Sequence, residues 1–188
     1  MKLSPEGLRF IAGEEGFVGH IYADFAGVAT IGFGHVVRPD ERYVTLTRDD
    51  ALQLLSHDVQ AAEEHVTLLV RVPLEQSQFD ALVSFTFNEG GRALANSTLL
   101  IRLNAGNIEG AADELLKWNK YRAPDGVLRT SDTLTARRAK ERAMFMRDVE
   151  TKPDRVYSPN VQPAAVGEVD RPSSPPDSPP ESPPDDAA

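Results

Sequence analysis

Apolar residues recur three and four apart along most of this chain, and glycines, prolines and capping residues mark the places where that spacing breaks. Ser4-Pro5 reads as an N-cap followed by proline at the first helical position. Leu8, Ile11 and Ala12 then share one face of a short helix that stops at Gly16. Ile21 to Val37 has no helical period; its β-branched residues and Gly27, Gly32 and Gly34 predict short strands with tight turns, a small hairpin sheet. Thr47, with Asp50 three residues on, opens a long helix whose apolar stripe is Leu52, Leu55, Val59, Ala62 and Val66. Pro73 breaks the pattern before a helical run from Leu82-Val83 to Phe87, which Gly90-Gly91 stops. Ser97 caps a short helix through Leu103, with Gly106 just past its end, and Ile108 to Trp118 is helical again. Lys120 to Thr133 reads as a loop around the turn Pro124-Asp125-Gly126, and Leu134 to Val149 as the last helix, rich in Arg. One helix, a small sheet and then helices only predict an α+β fold, with the sheet in one lobe and a mainly helical second lobe.

One polar residue breaks the first helix's pattern. On a helical wheel Glu15 falls between Leu8 and Ile11 on the apolar face, while Glu14 points about 100° away. Glu15 is therefore either a locally satisfied helix-end carboxylate or an acid held for chemistry.

Composition narrows the function. The chain has 188 residues and a net charge of −9, which gives no support to a nucleic-acid binder. It has no cysteine, so disulfide scaffolds, zinc ribbons and thiol nucleophiles are excluded. His20, His57 and His65 lack the i, i+4 pairing of a zinc-binding helix and are expected on the surface. No apolar run is long enough for a membrane span, and the start lacks the apolar stretch of a signal peptide. The acidity is uneven: residues 161–188 hold 8 of the 14 prolines and a net charge of −5, with Ser-Pro-Pro repeated from Ser174, Ser178 and Ser182. The expected organisation is one domain over 1–150 and a disordered Pro/Ser/Asp-rich tail over 151–188, either a solubilising segment or a ligand for a proline-recognising groove.

The most informative stretch is Glu15-Gly16, then Tyr22-Ala23-Asp24, then Thr30-Ile31-Gly32-Phe33-Gly34-His35. Nine positions separate Glu15 from Asp24 and six separate Asp24 from Thr30. Further on come Phe85-Thr86-Phe87-Asn88-Glu89-Gly90, Ser97-Thr98-Leu99-Leu100, Leu103-Asn104-Ala105-Gly106, Trp118 and Arg137-Arg138-Ala139-Lys140-Glu141. In order and spacing this set resembles the phage-type lysozymes, the endolysins of glycoside hydrolase family twenty-four, from about Leu8 to Met146. The chain departs from the family at Thr133-Leu134, where Gly-Leu is usual, and has no clear match for an Asn in the helix before the Trp.

The chemistry accounts for the residue types. Cleaving a glycosidic bond needs a proton on the leaving oxygen and a nucleophile at the anomeric carbon, and two carboxyl groups in different environments supply both. An apolar setting for Glu15 favours its neutral acid form, and a polar turn keeps Asp24 ionised. The expected roles are Glu15 as general acid and Asp24 as general base. The resemblance implies that Thr30 holds the attacking water with Asp24, and that displacement occurs in one step with inversion. It also implies that Val36, Phe87 and Ser97 line the saccharide cleft. Phe85 and Phe87 cannot share a helix face, so one of them is expected in the core. His35 is read as a structural support of the sheet. In the Arg run, either the residues form a solvated face or one Arg orients Glu15, and position favours Arg138.

The resemblance thus implies a lysozyme-like fold and a muramidase. It would cut the β-1,4 bond between N-acetylmuramic acid and N-acetylglucosamine of bacterial peptidoglycan without metal or cofactor, and so lyse the host cell. The expected enzyme is monomeric, with no nucleic-acid partner and no stable membrane insertion. It is made in the host cytoplasm and reaches the wall through a holin-type membrane lesion. The competing readings are a lytic transglycosylase on the same bond, a non-catalytic wall-binding module and a zinc amidase.

Overall fold

The computed structural model describes residues 1–24 and 27–150. The tail expected over 151–188 lies outside the described residues. Helix α1 (Pro5–Glu15) leads into a three-stranded antiparallel sheet of β1 (Val18–Ala23), β2 (Ala29–Gly32) and β3 (His35–Val36), in that spatial order. Helices α2 (Arg48–Asp58), α3 (Gln60–Leu69), α4 (Gln76–Glu89), α5 (Gly91–Ala95), α6 (Thr98–Asn104) and α7 (Ile108–Leu115) follow. A two-stranded ribbon, β4 (Lys120–Arg122) and β5 (Leu128–Thr130), precedes the last helix, α8 (Asp132–Glu150). This is the expected α+β arrangement of a small sheet lobe and a helical lobe.

Local chemistry accounts for most boundaries. Ser4 caps α1 by accepting from the Gly7 N–H at 3.0 Å, with Pro5 in the first turn. Gly16 ends α1 at φ 75°, a left-handed conformation that lets the chain turn directly into the sheet. Thr47 and Asp50 form a reciprocal capping box at α2. Asn107, which the apolar pattern did not single out, caps α7 by accepting from the Gly110 N–H at 2.8 Å.

Several expectations need adjusting, among them the start of α4, which lies at Gln76 and not at Leu82. The long helix after Thr47 is interrupted at Val59 into α2 and α3, although the buried stripe of Leu55, Val59, Ala62 and Val66 runs through the break. Neither Gly nor Pro stands there, so composition carries no mark of it. Gly90 (φ 89°) ends α4 as expected, but the chain re-enters a helix at once at Gly91. A Cβ at Gly91 would lie 2.2 Å from the His65 ring in its present position. Lys120 to Thr133 is not a plain loop but the β4–β5 ribbon around the expected Pro-Asp-Gly turn. Its strand residues are exposed on both faces, so no hydrophobic alternation announces them.

The core centres on α4, which is buried on every side from Ser77 to Thr86. Phe79, Leu82 and Phe85 of α4 pack in one cluster with Leu99 and Leu103 of α6, Leu115 of α7 and Phe145 of α8. The sheet joins this cluster through Phe33, whose ring lies 5.4 Å from that of Phe17. The guanidinium of Arg48 sits 5.5 Å from both ring centres.

Candidate active site

The site is built where α1 ends, where β1 turns into β2, and where α8 passes α1. Glu15 is the last residue of α1, and its side chain is 23% exposed. Its carboxylate accepts a hydrogen bond from Arg137 Nη1 of α8 at 2.8 Å. The wheel placed Glu15 correctly toward the protein, but the partner arrives from 122 residues away, beyond what helical period can reveal.

The arginine bonded to Glu15 is Arg137, not Arg138 as position had favoured. Successive residues on a helix diverge by about 100°, so only one of the two can face α1. Arg138 points the other way. It donates to Glu141 Oε2 at 2.6 Å and to Glu89 at 3.3 Å, makes a short contact with Asn88 Oδ1, and stacks 5.3 Å from the Phe85 ring. Burial lowers the Arg138 guanidinium's proton affinity, and the carboxylates of Glu141 and Glu89 oppose that. The Arg run is not a solvated face at its start, because Arg137 and Arg138 are both buried. Lys140 pairs with Glu14 at 2.7 Å and Arg142 with Asp113 at 2.8 Å.

Asp24 follows β1 in a turn that its own polar groups organise. Its carboxylate accepts from the Val28 N–H at 2.8 Å, its carbonyl accepts from the Gly27 N–H at 3.0 Å, and its N–H donates to the Val28 carbonyl at 3.0 Å. Thr30, buried on β2, donates its hydroxyl proton to that same Val28 carbonyl at 3.0 Å. Val28 thus ties Asp24 and Thr30 together through one peptide unit on each side. With its proton committed, the Thr30 oxygen is left to act as an acceptor.

The expected cleft residues divide. Val36 is the cross-strand partner of Thr30 and is 53% exposed, so it stands beside Thr30 at an open surface. Phe85 is the core member of the aromatic pair, edge-on to Trp118 at 5.2 Å, and Phe87 is half-buried. Ser97 does not present its hydroxyl to a cleft. It is 2% exposed, caps α6 by accepting from the Leu100 N–H at 3.0 Å, and donates to the Leu94 carbonyl at 2.7 Å. Ser97 therefore serves as the cap of α6.

His35 braces the site from behind. Its buried imidazole meets Asp58 Oδ2 of α2 at 2.9 Å through Nδ1 and Glu41 Oε2 at 3.0 Å through Nε2. Burial alone would lower its proton affinity, but the hydrogen bonds to Glu41 and Asp58 outweigh this and hold it above the ordinary histidine value. Glu41 is held below the ordinary carboxylate range, first by the Arg38 backbone N–H and then by His35. His20, His57 and His65 are exposed, as expected. Two participants that motif reading left unassigned are Ser84 and Glu141, whose side chains meet at 2.7 Å. Glu141 lies three and four residues after the two arginines, a spacing that signals helix ion pairs.

With this geometry in hand, comparison with known proteins defines the class. A family model described as phage lysozyme matches residues 12–141. The chain belongs to the phage lysozyme family. It is 40% identical over 150 residues to the endolysin of Salmonella phage P22, covering 78% of this chain and 99% of that one. Among solved structures, the endolysin from Escherichia coli O157:H7 phage FAHEc1 is similar at a TM-score of 0.73 and 36% identity, covering 79% of this chain and 95% of that one. The muramidase domain of SpmX from Asticaccaulis excentricus is similar at a TM-score of 0.71 and 36% identity, covering 77% and 97%.

Proposed function

We propose that this chain is an endolysin with lysozyme activity, a glycoside hydrolase that cleaves the β-1,4 bond between N-acetylmuramic acid and N-acetylglucosamine in bacterial peptidoglycan. The observation that carries the reading is the phage lysozyme match over residues 12–141, which spans Glu15, Asp24 and Thr30. Likeness to the P22 endolysin and to the SpmX muramidase domain supports the same conclusion.

The residues divide the chemistry as follows. Glu15, steered by the Arg137 guanidinium, gives its proton to the leaving glycosidic oxygen. A water donates one hydrogen bond to Asp24 and the other to the Thr30 oxygen. Both of its protons are then engaged and a lone pair is free to attack the anomeric carbon. Asp24 takes the proton as the C–O bond forms, and the sugar is released with inverted configuration. The fixed Val28 peptide groups keep Asp24 and Thr30 in register for this task. Val36 and Phe87 contribute apolar surface to the saccharide cleft. No cofactor is needed, because both proton transfers use protein carboxyl groups.

The enzyme works as a monomer on the cell wall, with synthesis in the host cytoplasm and passage through a holin-type lesion. Among the described residues no helix is long and apolar enough to cross a membrane. Residues 1–150 form the catalytic domain and 151–188 an appended tail. Digestion of purified wall followed by mass spectrometry of the muropeptides tests the reading. Products ending in reducing N-acetylmuramic acid support it, whereas 1,6-anhydro ends identify a lytic transglycosylase.

A further inference from the structure

Glu141 is fully buried on α8, and three donors converge on it. Ser84 Oγ of α4 donates at 2.7 Å, Arg138 Nη1 at 2.6 Å and Arg137 Nε at 3.2 Å. Arg137 is 5% exposed, and its planar fork is shared between two carboxylates, Nε on Glu141 and Nη1 on Glu15. Its remaining nitrogen, Nη2, is buried without a hydrogen-bond partner among the described residues. The direction in which Nη1 points is thus set by where Nε is held, because the guanidinium is rigid.

The catalytic cycle proposed above adds a charge argument. A general acid must carry its proton when substrate binds, and a protonated Glu15 is no longer an anionic partner for Arg137. Two adjacent buried guanidiniums would then share only Glu141 and, on the far side, Glu89. A buried cation without a fixed anion is costly and would relax away from its position. Among the described residues Glu141 is the one carboxylate that touches both arginines, and the cycle above gives it no part in bond cleavage.

We propose that Glu141 is a positioning residue for the glycosidase reaction: it anchors Arg137 so that the guanidinium stays aimed at Glu15 whether or not Glu15 holds its proton. The proposal rests on the assignment of Glu15 as general acid. Burial pushes the Glu141 carboxyl above the ordinary range, while Arg138, Ser84 and Arg137 pull it back toward the ionised form. The charged group in contact with Glu15 is Arg137 of α8, and its chain neighbour Glu14 pairs with Lys140 of the same helix. Neutralising Glu141 leaves Arg137 less compensated, which favours the ionised form of Glu15 and withdraws the acid at lower pH.

The test compares wild type, Glu141→Gln and Glu141→Asp as full-length chains on purified wall. kcat and KM are measured across pH and normalised to folded enzyme by thermal melting, and the Glu15 carboxyl is titrated by carbon NMR. For Glu141→Gln the expected result is a fall in kcat of about tenfold or more with KM little changed. The alkaline limb of the rate profile and the Glu15 titration should both move to lower pH. Glu141→Asp keeps the charge but retracts it by one methylene, so its kcat should fall while its alkaline limb stays near wild type. If Glu141→Gln does not fold, the aspartate variant decides: reduced kcat at unchanged KM supports positioning, and wild-type turnover overturns it. A folded Glu141→Gln with a superimposable profile and an unmoved Glu15 titration also overturns it. Inactivity of wild type itself would count against the glycosidase reading, while the NMR titration still reports on the link between Glu141 and Glu15.

Discussion

Arg137 Nη1 lies 2.8 Å from Glu15 Oε1 and joins the last residue of the first helix to the last helix of the domain. Glu15 thus has a fixed charge partner from a distant part of the chain. If Glu15 is the general acid, as proposed, loss of this contact should be visible in stability and in turnover separately.

The first prediction separates the two neighbouring arginines. Arg137→Ala should lower kcat by about 100-fold, the scale expected when an acid is misplaced by roughly an ångström. Arg138→Ala should act mainly on stability, costing about 3–5 kcal/mol because it removes the shortest of the three hydrogen bonds to buried Glu141 and the guanidinium packed on Phe85. Urea unfolding and initial rates on the same preparations check both. Equal kinetic losses per folded molecule would contradict the division of labour.

A second prediction concerns Glu15→Gln. An acid held in an apolar wall would make the substitution stabilising, but the ion pair with Arg137 removes that expectation. The variant should lose lysis by at least about 100-fold. Its melting temperature should stay near wild type, since a partly exposed pair contributes only about 0–1 kcal/mol. Turbidity loss above a few per cent of wild type would shift the acid role to another residue, with Glu14 next to be examined.

What the sequence revealed and what it hid follow from the range of each interaction. The caps at Ser4 and Thr47 and the stop at Gly16 depend on neighbours within a few residues, and local pattern contained them. The Glu15–Asp24–Thr30 spacing was readable because the three residues sit on consecutive elements of one short segment. The choice between Arg137 and Arg138 was not readable, because it depends on the rotation of α8 against α1, two elements at opposite ends of the domain. Ser97 was legible as a cap from its position before Thr98-Leu99-Leu100. The β4–β5 ribbon escaped notice because its strands bury neither face.

The third prediction is a pH dependence of stability. His35 binds its proton more tightly folded than unfolded, so its contribution is fully present below the unfolded value of about 6.5. It is lost as pH rises through the higher folded value. Unfolding free energy from urea titration should therefore decline across this window in wild type. His35→Asn should be less stable at low pH and should show a flatter profile there. A wild-type curve that rises with pH through neutrality would contradict the His35 assignment.

The fourth prediction concerns salt. Arg137, Arg138, Lys140 and Arg142 are each paired with carboxylates and form no free basic patch for a polyanionic wall. Exposed cations instead stand on the ribbon at Lys120, Arg122 and Arg129, the last paired with Asp125 at 2.5 Å. The net charge of −9 opposes long-range attraction, and added salt screens both effects within about 10 Å at 0.1 M. Activity should show a shallow optimum at moderate ionic strength. Truncation after Asn160, which removes a net −5, should shift that optimum to lower salt and leave the melting temperature nearly unchanged. Turbidity assays across a salt series check this, and a steep monotonic loss from the lowest salt would contradict it.

The central claim is that Glu15 and Asp24 act as acid and base on opposite sides of one glycosidic bond, with water as the nucleophile. The most direct measurement is digestion of purified wall in ¹⁸O-labelled water, with mass spectrometry of the muropeptides and NMR of the anomer formed first. The account predicts reducing N-acetylmuramic acid ends that carry one labelled oxygen and appear first as the α-anomer, inverted from the β-bond. Anhydro ends lighter by one water, or a first-formed β-anomer, would contradict it.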